Sequence, residues 1–121
     1  MRVWPAIAVD VICILVFAIV GRSSHAEATD LLGIVHTTWP FLTGAAAGML
    51  AGRIWRRPTA VLTGAIVWFG ALMIGLGLRI ISGGGVQLSF VLVAGCVLGL
   101  LLIGWRAALK LIRRAVPRSA G

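Results

Sequence analysis

One carboxylate, Asp10, stands inside the apolar run Val3–Val20. A charged group in hydrocarbon is costly, so it faces a protein interior or a watery cavity. A lone carboxylate there has two kinds of work open to it. It can bind and release a proton or cation, or it can hold helices together through hydrogen bonds or a pairing arginine. Ala6, Cys13, Ile14 and Phe17 share its face at helical spacing. A second polar group lies in His36-Thr37-Thr38-Trp39-Pro40-Phe41. Pro40 has no N–H, so the His36 carbonyl loses its helical partner, and Thr37 and Thr38 set hydroxyls beside it. Either this is an ordinary proline kink, or the segment before Pro40 is interfacial, or the patch shapes a path. The third polar residue is Arg79. It is one and two turns beyond Gly75 and Ala71, on a small-residue face expected to point into a bundle. Arg79 is expected either to snorkel to the headgroups or to reach toward Asp10, about two turns deeper by residue count. Together Asp10, His36, Thr37, Thr38 and Arg79 form the candidate ion or proton site.

Other chemistry lacks its residues. His25, Glu27, Asp30 and His36 have no tight ligand spacing, so no metal is expected. There is no Ser-His-Asp set and no paired acid. Gly83-Gly84-Gly85 lacks the lysine and hydroxyl residue of a phosphate-binding loop. No enzyme activity and no cofactor are expected. Cys13 and Cys96 lie within apolar runs and read as small hydrophobes rather than a disulfide framework.

The elements that must position these residues follow from composition. Of 121 residues, 60% are hydrophobic and 12% charged, and the mean hydropathy is +1.08. A soluble domain is about a quarter charged. In lipid every backbone polar group must be satisfied internally, which helices do segment by segment. The expectation is an all-α membrane protein, one domain of four transmembrane helices over residues 3–20, 31–52, 60–81 and 88–105, with a short basic C-terminal helix or tail along the inner surface. Nine of the eleven basic residues lie before the first span, between the second and third, or after the fourth. The positive-inside rule then puts both termini in the cytoplasm of a multi-pass cell-membrane protein. Trp4, Trp55 and Trp105 fall near those ends as interfacial anchors. Arg2, the first apolar run and Ser24-His25-Ala26 imitate a signal peptide, but Asp10 within the run argues against one. The net charge of +8 does not indicate nucleic acid, because the basic residues sit at span ends and no soluble basic domain exists. The expected partners are the bilayer, with anionic headgroups at Lys110, Arg113, Arg114 and Arg118.

Small residues recur at four-residue spacing: Gly44, Gly48 and Gly52 in the second span, Ala71 and Gly75 in the third, Gly95 and Gly99 in the fourth. Such faces let backbones approach closely. They serve packing within one bundle, a homodimer seam on the fourth span, or a partner in a larger membrane complex. Gly44-x-x-x-Gly48 leading to Trp55-Arg56 also echoes Gly95-x-x-x-Gly99 leading to Trp105-Arg106.

Several short motifs carry a resemblance to a known family. They are Asp10, Val16-Phe17-Ala18 to Gly21-Arg22 and His25, Trp39-Pro40-Phe41, Arg79, and Ser89-Phe90-Val91-Leu92-Val93 running to Gly104-Trp105-Arg106. With these the chain resembles a small prokaryotic membrane-protein family catalogued only as a domain of unknown function. The resemblance implies four membrane helices and no activity. In outline alone the chain is also similar to small multidrug transporters, four-helix proteins with an acid in the first span, but their flanking motifs are not matched. The functional expectation is a small transporter or ion or proton permeation protein using Asp10. The alternative is a non-catalytic accessory subunit of a membrane complex.

Overall fold

A computed structural model describes residues 3–24, 31–82 and 88–115. They form four helices: α1 (Val3–Ser24), α2 (Leu31–Ala51), α3 (Val61–Ile81) and α4 (Leu88–Ala115). No strand occurs among the described residues. Gly83–Gly85 and the outer-connection residues His25, Glu27 and Asp30 lie outside them.

Three helices, α1, α3 and α4, are long and apolar enough to cross a membrane. α2 is long enough, at 21 residues, but His36, Thr37 and Thr38 and three glycines dilute its apolarity. α2 runs unbroken through Pro40, so Leu31–Thr38 is part of the same helix. α4 does not stop near Trp105. It continues to Ala115, 28 residues in all and ~42 Å long. Arg106–Ala115 contains good helix formers and no breaker, and the first proline beyond is Pro117. The expected separate basic helix is thus the end of α4 itself.

Each helix packs on two neighbours, in the cyclic order α1, α2, α3, α4, and the diagonal pairs do not touch. The α2–α3 seam is the tightest. A Cβ on Gly44 would sit 2.5 Å from the Gly70 carbonyl oxygen, and one on Gly48 2.8 Å from that of Ile66. A Cβ on Gly75 would strike the Phe41 ring at 2.6 Å, and one on Gly52 would meet Ile66. Gly44 also lies against Ala71. The partners run in opposite directions along the two helices, so α2 and α3 are antiparallel. On α4, Gly99 receives the Trp68 indole, whose N–H donates to the Gly95 carbonyl at 2.9 Å. Gly95 and Gly99 therefore face α3.

The core is a stripe of Ile14, Phe17, Phe41, Val67, Ala71, Ala94, Leu98 and Leu102. Phe17 meets Phe41 edge to face, with centroids 5.1 Å apart, a favoured aromatic geometry. Large apolar side chains also cover the outside, including Leu32, Leu62, Leu100 and Ile81. An exterior this apolar is suited to lipid rather than water.

The α2–α3 connection is held by backbone bonds. The Ile54 N–H donates to the Met49 carbonyl at 3.0 Å and the Arg53 N–H to that of Leu50 at 3.3 Å. This is a Schellman cap, completed by the buried apolar pair Ile54 and Met49. Arg53 takes the left-handed position of the cap, at φ 51°, where glycine is the usual residue.

Candidate functional site

Asp10 is fully buried. On α1 it belongs to the inward stripe Ala6, Asp10, Ile14, Phe17 and Ala18. That face looks onto α4, where Ala94, Leu98, Leu102 and Arg106 form a second buried ladder at four-residue spacing. The helical period carries Arg106 to the same side as its apolar predecessors, and there it meets the acid.

The contact is a two-pronged ion pair. Arg106 Nη1 donates to Asp10 Oδ1 at 2.8 Å, and Nη2 donates to Oδ2 at 2.7 Å. Both side chains are fully buried. The Trp105 indole N–H donates a third bond to Oδ1 at 2.9 Å. The guanidinium makes two further bonds. Nε donates to the Pro58 carbonyl at 2.9 Å, and Nη1 to the Leu102 carbonyl at 2.9 Å. The guanidinium carbon lies 4.5 Å from the Trp105 ring centroid, within cation–π range. Gly64 on α3 makes the room, since a Cβ there would sit 2.8 Å from Arg106 Cδ. Among the described residues no buried side-chain nitrogen or oxygen lacks a partner.

The cluster joins α1, α4 and the α2–α3 connection at one end of the bundle. The start of α1, the Pro58 turn and the later part of α4 therefore lie together. The partner of Asp10 is Arg106, and Arg79 takes no part. Arg106 also departs from its expected place among the headgroup-facing basic residues after the fourth span, and the Trp105 indole N–H is turned to Asp10. The physical reason is one of phase: α4 continues past Trp105, and its buried face passes through Arg106. Trp4 and Trp55 are exposed.

The other expected site residues lie elsewhere. Thr37 and Thr38 are buried, and the Thr38 hydroxyl donates to the Ile34 carbonyl at 2.6 Å. His36 is exposed and Arg79 half-buried in the last turn of α3. Thr37 is one turn beyond Phe41, and Arg79 one turn beyond Gly75, which packs on Phe41. The Phe17–Phe41 contact thus separates this group from Asp10, itself about two turns back along α1. The structure does not gather the five expected residues around Asp10. Trp105, Arg106 and the Pro58 carbonyl are the partners that sequence reading missed. Cys13 packs beside the acid, its thiol 3.8 Å from the Leu101 carbonyl, and both cysteines are free thiols. No group of three or more metal-binding side chains occurs among the described residues.

Residues 7–109 match the family described as protein of unknown function (DUF3054). The chain belongs to this DUF3054 family. The matched stretch contains Asp10, Trp105 and Arg106 and ends before Lys110, so the whole ion-pair cluster lies within the DUF3054 region and most of the basic tail beyond it. No curated protein matches the chain. No solved structure matches it.

Proposed function

We propose that this DUF3054 protein is a four-span protein of the cell membrane, with both termini cytoplasmic, that works as a small transporter or ion or proton permeation protein. In this reading the Asp10–Arg106 pair is a lock at the cytoplasmic end. A proton or cation reaches Asp10 only by displacing Arg106, and Thr37, Thr38 and Arg79 shape the outer half of the path beyond the Phe17–Phe41 layer. The single observation that carries the reading is the buried pair itself. Apolar side chains of similar volume hold helices at least as well as a buried ion pair. The best-attested use of such a pair is in register or switching, and an arginine that competes for one carboxylate provides a switch.

A second reading is favoured by a specific observation. The carboxylate accepts three bonds and the guanidinium donates four, as in a static clamp. The protein would then be a non-catalytic subunit whose outer faces dock on a larger membrane complex.

Proteoliposomes carrying a potassium gradient and a trapped pH dye separate the two. Transport predicts wild-type proton or cation flux above empty vesicles, and none from Asp10→Asn in preparations whose circular dichroism matches the wild type. Absence of wild-type flux, or flux unchanged in Asp10→Asn, would sink the transport reading. Isolation of a stoichiometric heteromeric complex from native membranes would then support the subunit reading.

A further inference from the structure

We propose that the groove over the α2–α3 connection binds a phosphate-bearing group, held by Arg53, Arg56 and Arg57. The groove has a volume of about 320 Å³, and its lining includes these three arginines, Ala60, Leu62 and Thr63. That volume is at the small end of ligand sites. Three arginines line this concavity, and their guanidiniums are the donors that planar, bidentate phosphate recognition uses.

A second donor set converges there. The start of α3 carries no side-chain cap at Ala60, so N–H groups of its first turn stay open to an acceptor. Leu62 and Thr63 of that turn line the groove. A helix N-terminus with free N–H groups favours an anion.

Among the described residues no free acid is left to neutralise these arginines. The sequence has three acidic residues. Asp10 is consumed by Arg106, and Glu27 and Asp30 lie outside the described residues. Among the described residues none of the three arginines has an ion pair. The cradle is also fixed in place. The Arg56 N–H donates to the Arg53 carbonyl at 2.9 Å, the Ala60 N–H to that of Arg57 at 3.2 Å, and Arg106 holds Pro58. A preorganised cradle lowers the ordering cost of binding.

The phosphate has two possible sources: a lipid phosphodiester or a soluble phosphate. The purified full chain in neutral detergent distinguishes them. Phosphatidylglycerol and phosphatidylcholine are titrated and followed by native mass spectrometry, and inorganic phosphate by thermal unfolding. Arg53→Gln/Arg56→Gln/Arg57→Gln is compared with Lys110→Gln/Arg113→Gln/Arg114→Gln on α4. The expected result is retention of one phosphatidylglycerol, weakened at least tenfold in the groove variant and within twofold of wild type in the tail variant. Groove-dependent stabilisation by inorganic phosphate with no lipid preference assigns the soluble source and also supports the site. Binding of neither probe overturns the proposal, as does equal loss in both variants, which would mean diffuse charge. If the triple variant misfolds, Arg56→Gln and Arg57→Gln singly carry the test, since both side chains are exposed. Each is expected to weaken retention severalfold, and wild-type retention in both overturns the site.

Discussion

The chain contains two Trp-Arg dipeptides, each following small residues at four-residue spacing, and they have opposite fates. Trp55 and Arg56 lie exposed on the α2–α3 connection. Trp105 and Arg106 lie against Asp10, with Arg106 fully buried. The residue types are identical, so the difference comes from their surroundings. α2 ends at a Schellman cap before Trp55 and releases the pair to the surface. α4 has no such stop, and its inward face meets an acid contributed 96 positions earlier. A guanidinium is buried where a carboxylate and two carbonyls await it. Without them it stays at the surface.

The strongest way to break this contrast is to remove one partner of the buried pair. Arg106→Leu leaves Asp10 unpaired and is expected to destabilise the bundle by ~3–5 kcal/mol. Arg56→Leu is expected to leave unfolding unchanged. Denaturant titration of the detergent-solubilised protein, followed by circular dichroism, reads both. Asp10→Leu combined with Arg106→Leu is expected to recover most of the loss, because the cost lies in the uncompensated charge. A double variant as unstable as the single would show that the pair contributes through packing instead.

Trp105→Phe isolates the third bond to the carboxylate. The ring stays and the N–H goes, so the expected loss is ~1.5–3 kcal/mol, the usual range for a hydrogen bond to a charged group. The matching Trp55→Phe is expected to change nothing, since the exposed indole is not part of the cluster. Tryptophan fluorescence during unfolding reads both. An equal loss at both positions would dissolve the distinction between them.

Gly64→Ala acts on the same pair from α3. Its Cβ would stand 2.8 Å from Arg106 Cδ and 3.1 Å from the Leu102 carbonyl oxygen. The guanidinium must shift or α3 must back away, at ~1–2 kcal/mol by the scale of overpacking. Combining Gly64→Ala with Asp10→Leu/Arg106→Ala is expected to remove most of that cost, because alanine has no Cδ and only the contact with the Leu102 carbonyl remains. A double-mutant comparison of unfolding free energies checks it.

Much of the helical layout was legible from apolar runs and their breakers: the starts at residues 3, 31 and 88 and the end of α3 at Ile81 were all read directly. Arg106 was not. Its charge favoured the headgroups, and only the phase of Ala94, Leu98 and Leu102 pointed it inward. Reading that phase as meaningful requires knowing that α4 runs past Trp105 and that Asp10 faces it. Both are tertiary facts, and a lone acid does not announce which of eleven basic residues it will take. Arg79 was the nearer guess because its small-residue face was visible locally. The α2 glycines illustrate the reverse case, in which spacing alone forecast a close backbone approach but not whether the neighbour would be α3 or a second copy.

The smallest expected effect concerns Arg53, and it separates stability from binding. Arg53 occupies a left-handed conformation at φ 51°, which costs a residue with a Cβ about 1 kcal/mol relative to glycine. Its side chain is exposed, so little packing is lost on its removal. Arg53→Gly is therefore expected to raise stability by up to ~1 kcal/mol, seen as a higher thermal midpoint in detergent. The same change deletes one of three guanidiniums from the groove and is expected to weaken phosphatidylglycerol retention. A variant that gains stability while losing the lipid places Arg53 where a ligand, and not the fold, accounts for its side chain. A variant that loses both would mean that Arg53 supports the connection, and the contrast between exposed and buried arginines would then be one of degree.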